Sequence, residues 1–338
     1  MDAALSANQQ AEGQQVEDLK RELAAVKEKA DKSLALLRSI DTFDRGYLFS
    51  QASMAQRIRY HALARHIKAD AFAAREELAR TYPASLAGGA AADGVSIPRE
   101  TGLASFNLSQ RPEVRRAVDE AMAYFAASGG LGGVYPSKQS LEFVGSADKE
   151  FGADSALFKL ASSPLLVAPI AAYFGVFPML SGFGVTLARN NAFHRKSSQR
   201  LHFDPEDRTQ IKAFVYLTDV DTESGPFMAA PADQSAHVYT KPDFVLDRLD
   251  DSIVAPNALR PFFGPAGTVT FCDTCRCLHA GAREGKRERL VLSIEYNIPS
   301  FLGMPLLPQD APLQLRTRAI QLETSDPYLL ALLGRAHV

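Results

Sequence analysis

Apolar and small residues recur at alternating spacings of three and four near the start of the chain: Val16, Leu19, Leu23, Val26, Ala30, Ser33 and Leu37. That is a heptad seam, and Glu17, Lys20, Glu22 and Lys27 fill the faces between. It predicts a coiled-coil helix within residues 1–40. The seam at 16–37 then serves self-association or docking on a partner helix; alternatively the helix folds back on its own domain. A second helical stretch, rich in Ala, Arg and Glu, runs from about Ser50 to Arg80. Pro83 to Gly94, with Gly88, Gly89 and a run of alanines, reads as a linker that closes a segment 41–94.

From Val95 the texture changes. Glu113 to Ala127 has helical periodicity and stops at Gly129-Gly130, and Leu157 to Phe174 predicts buried helix ended by Gly175. Beyond Phe183 short strand-like runs take over: Val185–Ala188, Ile211–Leu217, Thr268–Phe271 and Leu290–Tyr296. Ser224-Gly225-Pro226 and Gly264-Pro265 mark turns between them. Helices first and short strands later predict a mainly β domain with flanking helices (α+β) over 95–338. The expected form is a double-stranded β-helix, the jelly-roll or cupin-like barrel, behind a helical N-terminal arm.

One uncharged run, Leu165 to Val185, has the length of a membrane span, but Pro169, Pro178 and three glycines break it. It is read as buried helix, turn and strand. With 37 basic and 39 acidic side chains, the net charge of -2 offers no broad electrostatic attraction for nucleic acid. The 3 cysteines sit together as Cys272, Cys275 and Cys277, which is no disulfide framework. The N-terminus is polar and lacks a signal-peptide core. These features predict a cytoplasmic protein without a membrane span.

The candidate chemistry starts at Leu201-His202-Phe203-Asp204. In a strand, residues two apart share a face, so an imidazole and a carboxylate would project side by side. With a distant histidine they would form the facial triad of a non-haem Fe(II) site, in which three coordination positions stay open. An oxygenase needs those positions, two for a chelating 2-oxo acid such as 2-oxoglutarate and one for O2. His279, just before Gly281, is that histidine, and His202, Asp204 and His279 are the expected metal-holding and catalytic set. Ten residues on, Arg289 opens the strand Leu290–Tyr296 and shares parity with Val291 and Ser293. It can therefore face the lumen and grip the C5 carboxylate of 2-oxoglutarate with a permanent charge. Arg287, of the same parity but nearer the turn, is the second choice.

In this order of signals the chain resembles the phytanoyl-CoA dioxygenase (PhyH)-like oxygenases over roughly residues 100 to 300. The family's H-x-D is followed by a strand, an acidic-Gly turn and a Pro-Gly-Ser-His-like element. Here these are Ile211–Leu217, Asp219 through Gly225, and Pro231 through His237. A variable loop, a Gly-Asp-led strand, the distal histidine and an arginine complete it. The Gly-Asp pair is Gly267-Thr268 here, and Pro-Gly-Ser-His is stretched; neither supplies a metal ligand. The resemblance implies a 2-oxoglutarate-dependent dioxygenase that hydroxylates a small-molecule, lipid or sugar-containing substrate, with succinate and CO2 as co-products. Related halogenases have a small residue where Asp204 stands, so the carboxylate implies hydroxylation over halogenation. The rival is a non-catalytic jelly-roll binding module or assembly subunit.

Other residues admit other readings. Cys272, Cys275, Cys277 and His279 could form a structural zinc site, but that would leave His202 and Asp204 unexplained, and oxidation-sensitive thiols are expected instead. His237 is expected to hydrogen-bond and His194 to lie in a loop. Arg189, Arg195, Lys196 and Arg200 form a basic cluster that would attract an anionic substrate or simply be solvated. Lys212 is a candidate to assist 2-oxoglutarate.

Overall fold

The computed structural model describes residues 69–85, 94–129, 141–146, 150–188, 197–204, 206–240, 248–255, 257–281, 285–298 and 320–335, with isolated positions elsewhere. The chain divides into two compact units, Met1–Leu48 and Phe49–Val338. In the first, Glu17, Lys20, Arg21, Ala24 and Lys27 are helical and exposed, and Lys20 pairs with Glu17 at 2.8 Å. The seam residues Val16 to Leu37 lie outside the described residues, as does the Gly88-Gly89 stretch.

The second unit is built on two antiparallel sheets. Its elements are α1 (Ala69–Ser85), β1 (Leu103–Asn107), α2 (Pro112–Ala127), β2 (Leu141–Ser146), α3 (Ala156–Ala161), α4 (Pro164–Phe174) and β3 (Met179–Ala188). Next in the chain are β4 (Gln210–Tyr216), β5 (Phe227–Ala229), α5 (Ala232–Tyr239), β6 (Arg260–Phe262), β7 (Thr268–Asp273), β8 (His279–Ala280), β9 (Arg289–Asn297) and α6 (Pro327–Leu332). The larger sheet has 6 strands in the order β1-β7-β4-β9-β3-β2, and the smaller has 3, β6-β5-β8. Phe214 of the larger sheet meets Phe227 of the smaller with ring centroids 4.5 Å apart, so the sheets face one another. Among the described residues no continuous ladder closes the two sheets into one barrel.

Alternation along the strands sorts side chains between two environments. Ile211, Ala213 and Val215 of β4 and Leu290, Leu292, Ile294 and Tyr296 of β9 point to the helices and join the main core. There they meet Val114, Ala117, Ala121 and Phe125, one stripe of α2 at helical spacing. Each such fully buried aliphatic or aromatic side chain contributes about 1.5–3 kcal/mol. The opposite parity of β4 and β9 faces the smaller sheet.

Local signals explain the helix ends. Pro164 opens α4, where its missing N–H costs nothing, and Gly175 closes it in the left-handed region at φ 73°. The Ser155 side chain caps α3 by accepting from the Phe158 amide. Helix, turn and strand thus divide the uncharged run as expected. The helical stretch Ala156–Phe174 is long and apolar enough to cross a membrane, but most of it is buried in this unit. The buried Arg75 of α1 donates to the carbonyls of Phe177 (3.1 Å) and Ala331 (2.8 Å), tying α1 to the turn before β3 and to α6.

Candidate metal centre

His202 and His279 lie opposite one another as an antiparallel pair. His202 N–H donates to the His279 carbonyl at 3.0 Å, and His279 N–H returns the bond at 3.1 Å. Directly opposed residues project on one side, so the rings sit with centroids 4.2 Å apart. Two positions on, Asp204 shares the face of His202, and its N–H is fixed on the Thr274 carbonyl at 2.8 Å. The Asp204 Oδ1 lies 3.6 Å from His202 Nε2 and 3.7 Å from His279 Nε2. The donor atoms of the three buried side chains lie within 4.8 Å of one another, the one such group of His, Cys, Asp and Glu among the described residues.

The rings are prepared for this meeting. His202 Nδ1 is 2.8 Å from the Arg200 carbonyl and His279 Nδ1 is 3.0 Å from the Cys277 carbonyl. A carbonyl can only accept, so both Nδ1 atoms carry the proton and both Nε2 lone pairs are left for a ligand. Burial lowers the basicity of both imidazoles, with an added push from His279 on His202. They are therefore neutral at physiological pH. Burial alone would raise the Asp204 carboxyl, but the Lys212 ammonium and the two histidines outweigh it and hold it ionised. Two neutral imidazole nitrogens and one carboxylate oxygen suit a first-row divalent metal such as Fe(II), so the residues fit the expected ion.

A cavity of about 280 Å³ opens beside the triad. Arg289, Val291, Ser293 and Glu295 line it as alternate residues of β9, and Lys212 and Phe214 line it from β4. Arg289 is 4 % exposed, and burial brings its pKa down to about 10, which leaves it charged. No carboxylate pairs with it among the described residues, and its Nε has no hydrogen-bond partner. Arg287 behaves differently. It is exposed, pairs with Asp221 and borders a surface depression with Thr218 and Asp219, so the cavity does not include it.

The structure also brings in residues that sequence reasoning passed over. Arg248 lines the cavity and disfavours protonation of both histidines. Ser235 of α5 accepts from the Leu278 amide at 3.0 Å and donates to the Ala230 carbonyl at 3.1 Å, holding the segment that delivers His279. The buried Asp273 carboxylate accepts from Tyr173 (2.7 Å), Thr209 (2.5 Å) and the Gln210 amide (3.2 Å), pinning the same segment from the other end. Phe227 lies 5.8 Å from the His279 ring. Asp273, an acidic residue inside an apolar strand, and Ser235, inside the Pro231–His237 element, each left a sign in the sequence.

The cysteine side chains stand apart from the metal centre. Cys272, Cys275 and Cys277 are all buried, and Cys277 Sγ lies 3.3 Å from the Thr101 carbonyl. They join no metal-capable group among the described residues. Burial raises the Cys272 thiol and keeps it protonated, which runs against the expected sensitivity to oxidation. His237 is exposed on α5, with Nε2 3.1 Å from the Ile253 carbonyl. Arg189, His194, Arg195 and Lys196 lie outside the described residues; the Arg200 carbonyl holds His202.

No protein-family model and no curated protein matches the chain. Among solved structures it is similar to the non-haem α-ketoglutarate-dependent epimerase SnoN from nogalamycin biosynthesis, at 20 % identity and TM-score 0.42 over 75 % of this chain and 97 % of that one. It is similar to HygX from Streptomyces hygroscopicus, solved with nickel, 2-oxoglutarate and hygromycin B, at 17 % identity and TM-score 0.41 over 60 % and 85 %. EctD from S. alaskensis with bound Fe gives 18 % identity and TM-score 0.43 over 64 % and 80 %. The chemistry of the centre rests on this chain's own side chains.

Proposed function

We propose that this chain is a PhyH-like, Fe(II)- and 2-oxoglutarate-dependent oxygenase that hydroxylates a small-molecule, lipid or sugar-containing substrate on a jelly-roll scaffold. The observation that carries the reading is the convergence of His202 Nε2, Asp204 Oδ1 and His279 Nε2 beside a cavity whose wall holds an uncompensated Arg289. Iron, when bound with 2-oxoglutarate and O2, supplies the oxidising chemistry, with succinate and CO2 as co-products. The protein's share is placement. His202 and His279 hold the metal as neutral donors, and Asp204 adds the negative charge that a halide would otherwise bring. Arg289 fixes the C5 carboxylate of 2-oxoglutarate through a charged fork. Phe214, Phe227 and Val291 make the wall apolar and keep water from the reacting atoms.

Incubation with Fe(II), ascorbate and labelled 2-oxoglutarate tests this. Succinate release that disappears in Asp204→Asn is expected. A wild-type protein that binds 2-oxoglutarate but releases no succinate with any candidate substrate overturns the oxygenase reading in favour of a binding module. The 3 free, buried cysteines support a reducing, cytoplasmic setting.

A further inference from the structure

Asp204 is held from two sides. Its Oδ1 faces the two imidazoles, while its Oδ2 lies 2.8 Å from the Lys212 ammonium. Lys212 arrives there because β4 and β9 are in register: it stands opposite Glu295 across the ladder, and Nζ lies 3.3 Å from Glu295 Oε1. Its strand neighbours Ile211 and Ala213 are core residues, so alternation turns Lys212, like Phe214 two positions on, toward the metal-site cavity. A lysine is expensive to bury without partners, and this one sits among Asp204, Glu295 and Glu206.

We propose, on the metal-centre reading above, that Lys212 is a positioning residue that makes Asp204 a one-oxygen ligand and acts as the built-in counter-cation of the metal-free site. A carboxylate with both oxygens available can chelate a metal through both and consume a position that the 2-oxo acid needs. With Oδ2 engaged by the ammonium, Oδ1 alone is offered. The same ammonium repels an incoming divalent ion and draws charge from its carboxylate donor, so metal affinity is held below what the triad alone would reach. Glu295 tempers this by sharing the ammonium. Lys212 thus weakens metal binding and strengthens 2-oxoglutarate binding, a combination that neither a structural ion pair nor a direct 2-oxoglutarate contact produces.

Co(II) titration of the full-length protein, followed by calorimetry and by visible absorption, tests the two effects separately. Lys212→Met is expected to bind Co(II) roughly tenfold more tightly. It is also expected to bind 2-oxoglutarate at least several-fold more weakly, with an altered d–d spectrum from two-oxygen coordination. Lys212→Arg, which keeps the charge, should stay near wild type in Co(II) affinity, and Glu295→Gln, which leaves the ammonium to Asp204 alone, should bind Co(II) more weakly. Circular dichroism checks that each variant is folded; should Lys212→Met fail to fold, Glu295→Gln carries the test, and Co(II) binding by it as tight as or tighter than wild type overturns the proposal. A wild type that binds Co(II) while Lys212→Met binds it equally or more weakly overturns the proposal alone. A wild type whose Co(II) binding is absent, or is untouched by Asp204→Asn, overturns the metal-centre reading and this proposal with it.

Discussion

The two ends of the cavity solve opposite electrostatic problems. At the metal end the donor set is matched: Asp204 meets Lys212, Lys212 meets Glu295, and both histidines are neutral with their Nδ1 protons on carbonyls. At the other end, farther along the β9 wall of the same cavity, Arg289 is buried with no anion beside it among the described residues. A balanced site is organised before its ligand arrives; an unbalanced one is completed by its ligand. The difference supports the proposed roles: a cation held by a preset donor geometry at the metal end, and an anion that comes and goes at the arginine end.

The comparison breaks most severely at its centre. His279→Gln removes a donor that no other described residue replaces, and Co(II) affinity should drop at least about a hundredfold, beyond the usual cost of losing an outer partner. Calorimetry of metal binding checks this. The arginine end should respond in the opposite sense for stability. Arg289→Met is expected to weaken 2-oxoglutarate binding by roughly thirtyfold or more, about 2 kcal/mol. It should also raise the Tm of the ligand-free protein, because an uncompensated buried charge is gone. A lower Tm with unchanged 2-oxoglutarate affinity would sink the assignment of that end.

Acidification sharpens the contrast next. The folded-state pKa values of His202 and His279 lie below the ordinary 6.5, and burial takes His61 down to about 4. The unfolded chain therefore takes up protons first as pH falls through 6.5, so stability present above that pH is progressively lost below it. Tm measurements on the metal-free protein should fall from pH 6.5 toward pH 4, while Arg289 keeps its charge throughout. A flat profile would show that these rings are not buried neutral. The smallest effect is expected from Arg287→Ala. Its exposed pairing with Asp221 is screened by solvent, and 2-oxoglutarate affinity should match wild type.

Legibility from sequence followed how local each cause was. The helix Pro112–Ala127 and the closure of α4 by Gly175 rest on periodicity and caps, and both were readable. The uncharged run implies a strand after its turn, but only Val185–Ala188 has a strand-like pattern of its own; Gly182 and Gly184 mask the start at Met179, where two neighbours in the sheet stabilise it. The short strands β5, β6 and β8, of two or three residues each, carry no pattern of their own and exist through their partners. Arg287 and Arg289 share strand parity in the sequence, yet the strand begins at Arg289, and that boundary puts one in the cavity and the other in water.

What the sequence determined by itself was the chemistry available: an H-x-D pair, a later histidine and an arginine heading a strand, all in types and order that local covalent spacing can carry. What tertiary structure decided was which atoms of these residues are used. The reciprocal hydrogen bonds between His202 and His279 turn both rings to one side, and the β4–β9 register sets Lys212 against Asp204. Those arrangements depend on contacts between segments far apart in the chain, where the energy comes from pairing and burial and leaves no periodic trace in either segment alone.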